Sequence, residues 1–114
     1  MDRLFFDDIT TQVEIPMGGI TSRTLHSDEH ARVVLFGFDA GQELSEHTAS
    51  MPAILHVLRG EASLTLGGET HAVSGGAWAY MPAHLPHGIA ARTPLVMLLT
   101  LVKAAKDLDG TAAQ

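Results

Sequence analysis

The sequence predicts an all-β fold, on three observations. Short runs rich in β-branched and aromatic residues recur along the chain. Glycine, proline or polar clusters separate them, as turns require. Between residues 9 and 102 no 3.6-residue apolar period runs far enough for a long helix. Many short strands at roughly regular spacing are the pattern of an antiparallel sandwich or barrel.

Taken in order, residues 1–30 contain "FF", "VEI" and "GGI", which supply one or two strands or an arm lying over a neighbouring subunit. "ARVVLFGF", Ala31 to Phe38, is a strand that stops at the turn signal "DAG". Residues 53–58, "AILHVL", form a buried strand that stops at "RGE". In residues 62–66 strict alternation puts Ala62, Leu64 and Leu66 on one face and Ser63 and Thr65 on the other. Gly67 and Gly68 then signal a tight hairpin into "THAV". "AWAYM" ends at Pro82, and "LVMLLTLV", residues 95–102, closes the series. The small and polar residues 103–114 predict a frayed tail. One domain is expected over residues 1–114, with its barrel at about 31–102.

Composition narrows the function classes. With 114 residues, 46% of them hydrophobic and 18% charged, the chain suits one globular core. A net charge of -6, with only seven Lys and Arg and no basic run, excludes the footprint of a nucleic-acid or anionic-membrane partner. The longest apolar run is far short of a membrane span, and the acidic start "MDRLFFDDITT" lacks the marks of a signal peptide. A cytoplasmic location is expected. Zero cysteines exclude disulfides and thiolate metal sites, so any transition metal must be held by imidazole and carboxylate. The seven histidines become the residues to follow.

Two histidine motifs stand out. "GQELSEHTASMPAILHVLRG" places Gly41, His47 and Gly60 in the pattern G-x5-H-x-H with a closing glycine. "GAWAYMPAHLPHGIAA" places Gly76, Pro82 and His87 in the pattern G-x5-P-x-G-x2-H-x3-N. Together, and with the separation between them, the motifs resemble the two conserved motifs of the cupin family. That resemblance implies a double-stranded β-helix, the jelly-roll barrel of RmlC-like proteins. It also implies a homodimer, and a metal held inside the barrel by three histidines and a carboxylate. Four positions depart from the pattern. Ala49 stands at the second histidine, Ala53 at the glutamate, His84 at a glycine and Ala91 at the asparagine.

Only His47 and His87 remain of the four implied ligands, against the three or four protein ligands a transition-metal site normally uses. His84 could complete the set from its turn, or Glu43, which shares parity with His47 if that segment is extended. His56 lies three residues after Ala53 and so points to the opposite strand face. Met51, Trp78 and Tyr80 are expected in the pocket wall or core. The alanines also leave a larger, more apolar interior, which is what small-molecule sites look like.

Three functions follow. The first is a binding protein for a small organic molecule, centred on His47 and His87, with either imidazole available as general acid or base. The second is a metal-dependent dioxygenase or isomerase using Mn, Fe, Ni, Cu or Zn. The third, a metal-free sugar epimerase, would need a basic cluster for a nucleotide phosphate, and Arg59 and Arg92 are too few and scattered for one.

Overall fold

The computed structural model describes residues 3–103, with nine strands among them. They are β1 (Ile20–Ser27), β2 (Ala31–Phe38), β3 (Glu43–His47), β4 (Ala53–Arg59), β5 (Glu61–Leu66), β6 (Glu69–Ser74), β7 (Trp78–Met81), β8 (His87–Ala91) and β9 (Leu95–Val102). A five-stranded sheet has the order β1-β2-β9-β4-β7, and a four-stranded sheet the order β3-β8-β5-β6. All strand pairs are antiparallel. The chain passes repeatedly between the sheets, which makes the jelly roll that the resemblance implies, one form of the sandwich or barrel that the strand pattern predicts. No helix among the described residues is long and apolar enough to cross a membrane.

The core lies between the sheets and follows the period of two. On β4, Ala53, Leu55 and Val57 are buried, and on β5 Ala62 and Leu64 meet them from the other sheet. Phe38, Leu95 and Met97 complete the five-stranded side, and Ile89 and Ala91 the four-stranded side. No polar or charged side chain among the described residues is buried, so burial is almost entirely hydrophobic gain. Gly67 and Gly68 both have positive φ, as a two-residue hairpin between Leu66 and Glu69 needs. Gly60, at φ +95, joins β4 to β5 where a Cβ would overlap the Pro94 carbonyl oxygen.

Three elements differ from expectation. Residues 8–16 lie over the chain's own five-stranded sheet. Thr10 accepts from Arg59, the Gln12 carbonyl accepts from Arg23, and Val13 and Ile15 rest on Gly37. This strap accounts for the complete burial of Leu35 and the near-complete burial of Val96, which face outward from the core. β3 and β8 are the other two, five-residue strands hidden in sequence by charge in "ELSEH" and by small residues in "HGIAA". All of the expected tail except Lys103 lies outside the described residues.

Candidate functional site

His47 ends β3 and His87 begins β8, and the two are directly paired across the four-stranded sheet. A bulge makes this possible. Leu44 pairs with Ile89 and His47 with His87, so β3 spends three residues where β8 spends two. In an unbroken pleat residues three apart, such as Leu44 and His47, face opposite sides; the bulge absorbs one residue, so both face the core. The bulge presses on β8 at Gly88, where a Cβ would come within 3.0 Å of the Glu46 amide nitrogen and 3.1 Å of the Leu44 carbonyl oxygen.

The two rings are 4.4 Å apart at their centroids, tilted by 57°. Each donates from Nδ1 to a carbonyl two residues earlier, His47 to Ser45 and His87 to Leu85, both at 2.8 Å. A carbonyl oxygen only accepts, so both Nδ1 atoms carry hydrogen. In the neutral rings both Nε2 atoms therefore present free lone pairs. His47 is exposed and His87 half-buried, which marks the solvent end of the site.

Below them lies a cavity of about 80 Å³ between the sheets. The five-stranded sheet supplies Phe36, Leu55, Met97 and Leu99, and the four-stranded sheet supplies Leu44, Leu64, Gly88 and Ile89 beside the two histidines. Among the described residues that line it, the imidazoles are the only polar side chains. The carboxylates whose pKa values are clearly lowered, those of Asp8, Asp28 and Asp39, cap or brace turns elsewhere through backbone amides.

The remaining candidates are not in this cavity. Glu43 pairs with Ala90, one step before the bulge, and so faces away from His47; the inserted residue overturns the shared parity. Trp78 and Tyr80 face outward, because β7 turns Ala77, Ala79 and Met81 to the core. Met51 is half-buried in the bend before β4 and does not line the cavity. His84 is exposed at φ 70, with its amide donating to the Ala49 carbonyl at 2.7 Å. The family's glycine at this position is explained by that backbone conformation. His56 pairs with Trp78 on the outer face, opposite to buried Ala53. The signal sequence reading missed is the apolar wall from β2 and β9, whose inward parity was readable only once the facing sheet was known.

The donor set decides whether a divalent metal fits. No group of three or more His, Asp or Glu side chains converges among the described residues, and Ala53 fills its position with a buried methyl. Two neutral imidazoles and no carboxylate do not fit a tightly held first-row metal ion.

Two facing antiparallel sheets around an apolar cavity, with a histidine pair at its open end, define a small jelly-roll pocket protein. Residues 34–102 match the family model for the cupin domain, and the chain belongs to the cupin superfamily. A conserved protein of unknown function from Streptococcus pyogenes is similar at 32% identity, with 92% of each chain covered and a TM-score of 0.81. An RmlC-like cupin from Shewanella frigidimarina shares 24% identity over 79% of this chain and 81% of its own, with a TM-score of 0.73. Salicylate 1,2-dioxygenase from Pseudoaminobacter salicylatoxidans shares the fold, at 18% identity over 74% of this chain and 27% of its own, with a TM-score of 0.70. No curated protein matches the chain.

Proposed function

We propose that the barrel binds a small, mostly apolar molecule that carries hydroxyl groups. The observation that supports this is the tied pair of imidazoles above a cavity with no other polar side chain. Two Nε2 acceptors side by side select a hydrogen-bond donor, and the aliphatic wall selects a compact apolar body. An engineered apolar cavity of about 150 Å³ holds benzene. At about 80 Å³ the present one takes part of such a ring, with the polar end left at the histidines.

Phenol and toluene are suitable probes, differing by the donor. Each hydrogen bond contributes about 0.5–1.5 kcal/mol, so phenol should bind roughly 2- to 10-fold more tightly than toluene by calorimetry or NMR titration. His47→Ala and His87→Ala should remove that preference while leaving the fold intact. Equal binding of the two probes to wild type would refute the reading.

The alternative is a metal-dependent dioxygenase or isomerase, favoured by the shared fold with a dioxygenase. Elemental analysis of untagged protein, purified without chelators, separates the two. Near-stoichiometric Mn, Fe, Ni, Cu or Zn that disappears in His47→Ala would favour the enzyme.

A further inference from the structure

We infer that the ligand is the anion of a hydroxy acid, its carboxylate held by Arg32 above the histidine pair; this rests on the reading of the cavity just given. The strand registers place Arg32 there. Along β2 the inward-facing residues are Phe36, Val34 and Arg32 in turn, and Phe36 lines the cavity together with His47. Val34 pairs with Leu99 and Arg32 with Leu101, so Arg32 is one inward step beyond the cavity wall at Leu99. That step covers about 6.6 Å of strand. It leads to the histidine end, because the short bend from His47 brings the chain to Ala53 at the start of β4, and Ala53 pairs with Leu101.

The guanidinium is available. Arg32 is exposed, and its Nη2 donates to the Thr24 hydroxyl at 3.3 Å. Thr24 pairs with Val34, in the same row as Leu99, so this bond draws the guanidinium back toward the level of the cavity wall. No carboxylate among the described residues forms an ion pair with it. Other cations are turned elsewhere. Arg23 is on the outer face, bonded to Gln12; Arg59 and Arg92 lie at the far ends of β4 and β8; and Lys103 donates to Ser27 and to the Asp28 carbonyl.

Three contacts then define one ligand. The aliphatic wall takes an apolar tail, the Nε2 atoms take a hydroxyl hydrogen, and the planar guanidinium fork matches a carboxylate. In a chain of net charge -6, an arginine at the mouth of the pocket reverses the local field and favours an anion over its neutral analogue at this point. Glu69 ends the row that begins with His47 and His87, but it stands at the opposite edge of the four-stranded sheet from β3 and approaches His71 at 4.0 Å.

Mandelate and mandelamide are the probes, since they share a ring and a hydroxyl and differ in charge. Calorimetry or NMR titration of the whole chain should show mandelate binding roughly 3- to 10-fold more tightly than mandelamide, with the gap closing in about 1 M salt because the contact is exposed. Arg32→Gln should abolish that preference and leave the phenol-to-toluene preference as in wild type. Arg32→Lys keeps the charge without the fork and should retain part of it. Arg92→Gln, at the far end of the barrel, should change neither preference, and far-UV circular dichroism checks that each variant folds. Mandelate binding no better than mandelamide, in a protein that still prefers phenol to toluene, overturns this inference alone, as does a mandelate preference that survives Arg32→Gln. Equal binding of phenol and toluene refutes the cavity reading, and this inference falls with it.

Discussion

Replacing His84 with glycine tests the backbone and the site together. His84 sits at φ 70, a left-handed conformation that costs an L-residue about 1–2 kcal/mol. Histidine tolerates it better than a β-branched residue would, which favours the lower end. Glycine removes that strain but loses about 0.4–1 kcal/mol to the greater freedom of its unfolded chain. The net expectation for His84→Gly is a gain of about 0–0.6 kcal/mol. The His84 imidazole makes no hydrogen bond among the described residues and does not line the cavity, so nothing offsets the gain. The amide bond to Ala49 survives the substitution. Urea unfolding should show a midpoint equal to or slightly above that of wild type at unchanged slope, with melting raised by at most about 2–3 °C. The phenol-to-toluene preference should stay as in wild type. A lowered midpoint would refute the strain reasoning, and lost phenol binding would make His84 part of the site.

Gly60→Ala should cost about 3 kcal/mol, combining positive φ with overlap on the Pro94 carbonyl, and a loss below about 1 kcal/mol in urea unfolding would count against it. Met97→Ala should cost about 2–5 kcal/mol and enlarge the cavity, so that alcohols bulkier than phenol gain affinity relative to phenol; unchanged selectivity would mean Met97 does not bound the site. Asp28 accepts from His26, then from the His30 and Ala31 amides, and these bonds hold its carboxyl well below the usual range. Its contribution is therefore full above the unfolded value of about 3.9 and is lost as pH falls below it. The stability gap between wild type and Asp28→Asn should narrow in acid, and a gap constant down to the lowest pH that permits folding would contradict this.

The all-β class and six strands were legible because their residues carry both β propensity and alternation. The hairpin at Gly67 and Gly68 was legible for a local reason: only glycine adopts positive φ twice in succession at little cost. His47 and His87 were legible as motif positions. Which way neighbouring side chains point was not. Alternation predicts that residues 77, 79 and 81 oppose 78 and 80, but hydrophobicity favoured burying Trp78 and Tyr80, whereas the narrow space between the sheets takes the two alanines and Met81. Nor does "ELSEH" announce a bulge, because an inserted residue leaves no compositional mark. Glu43 was therefore placed in the pocket by a rule that holds only for unbroken pleats.

That single extra residue in β3 has an evolutionary side. A metal site changes most directly through the chemistry of its ligands, and Ala49 and Ala53 carry no ligating group. Deleting one residue between Leu44 and His47 would leave every remaining side chain chemically intact and restore an unbroken pleat, two residues against two, with His47 still opposite His87. The pocket would then keep both imidazoles, and what would change is the close approach of β3 to Gly88. The face that His47 presents is thus set by its pairing with β8, and the bulge lets this short segment change length without losing that pairing.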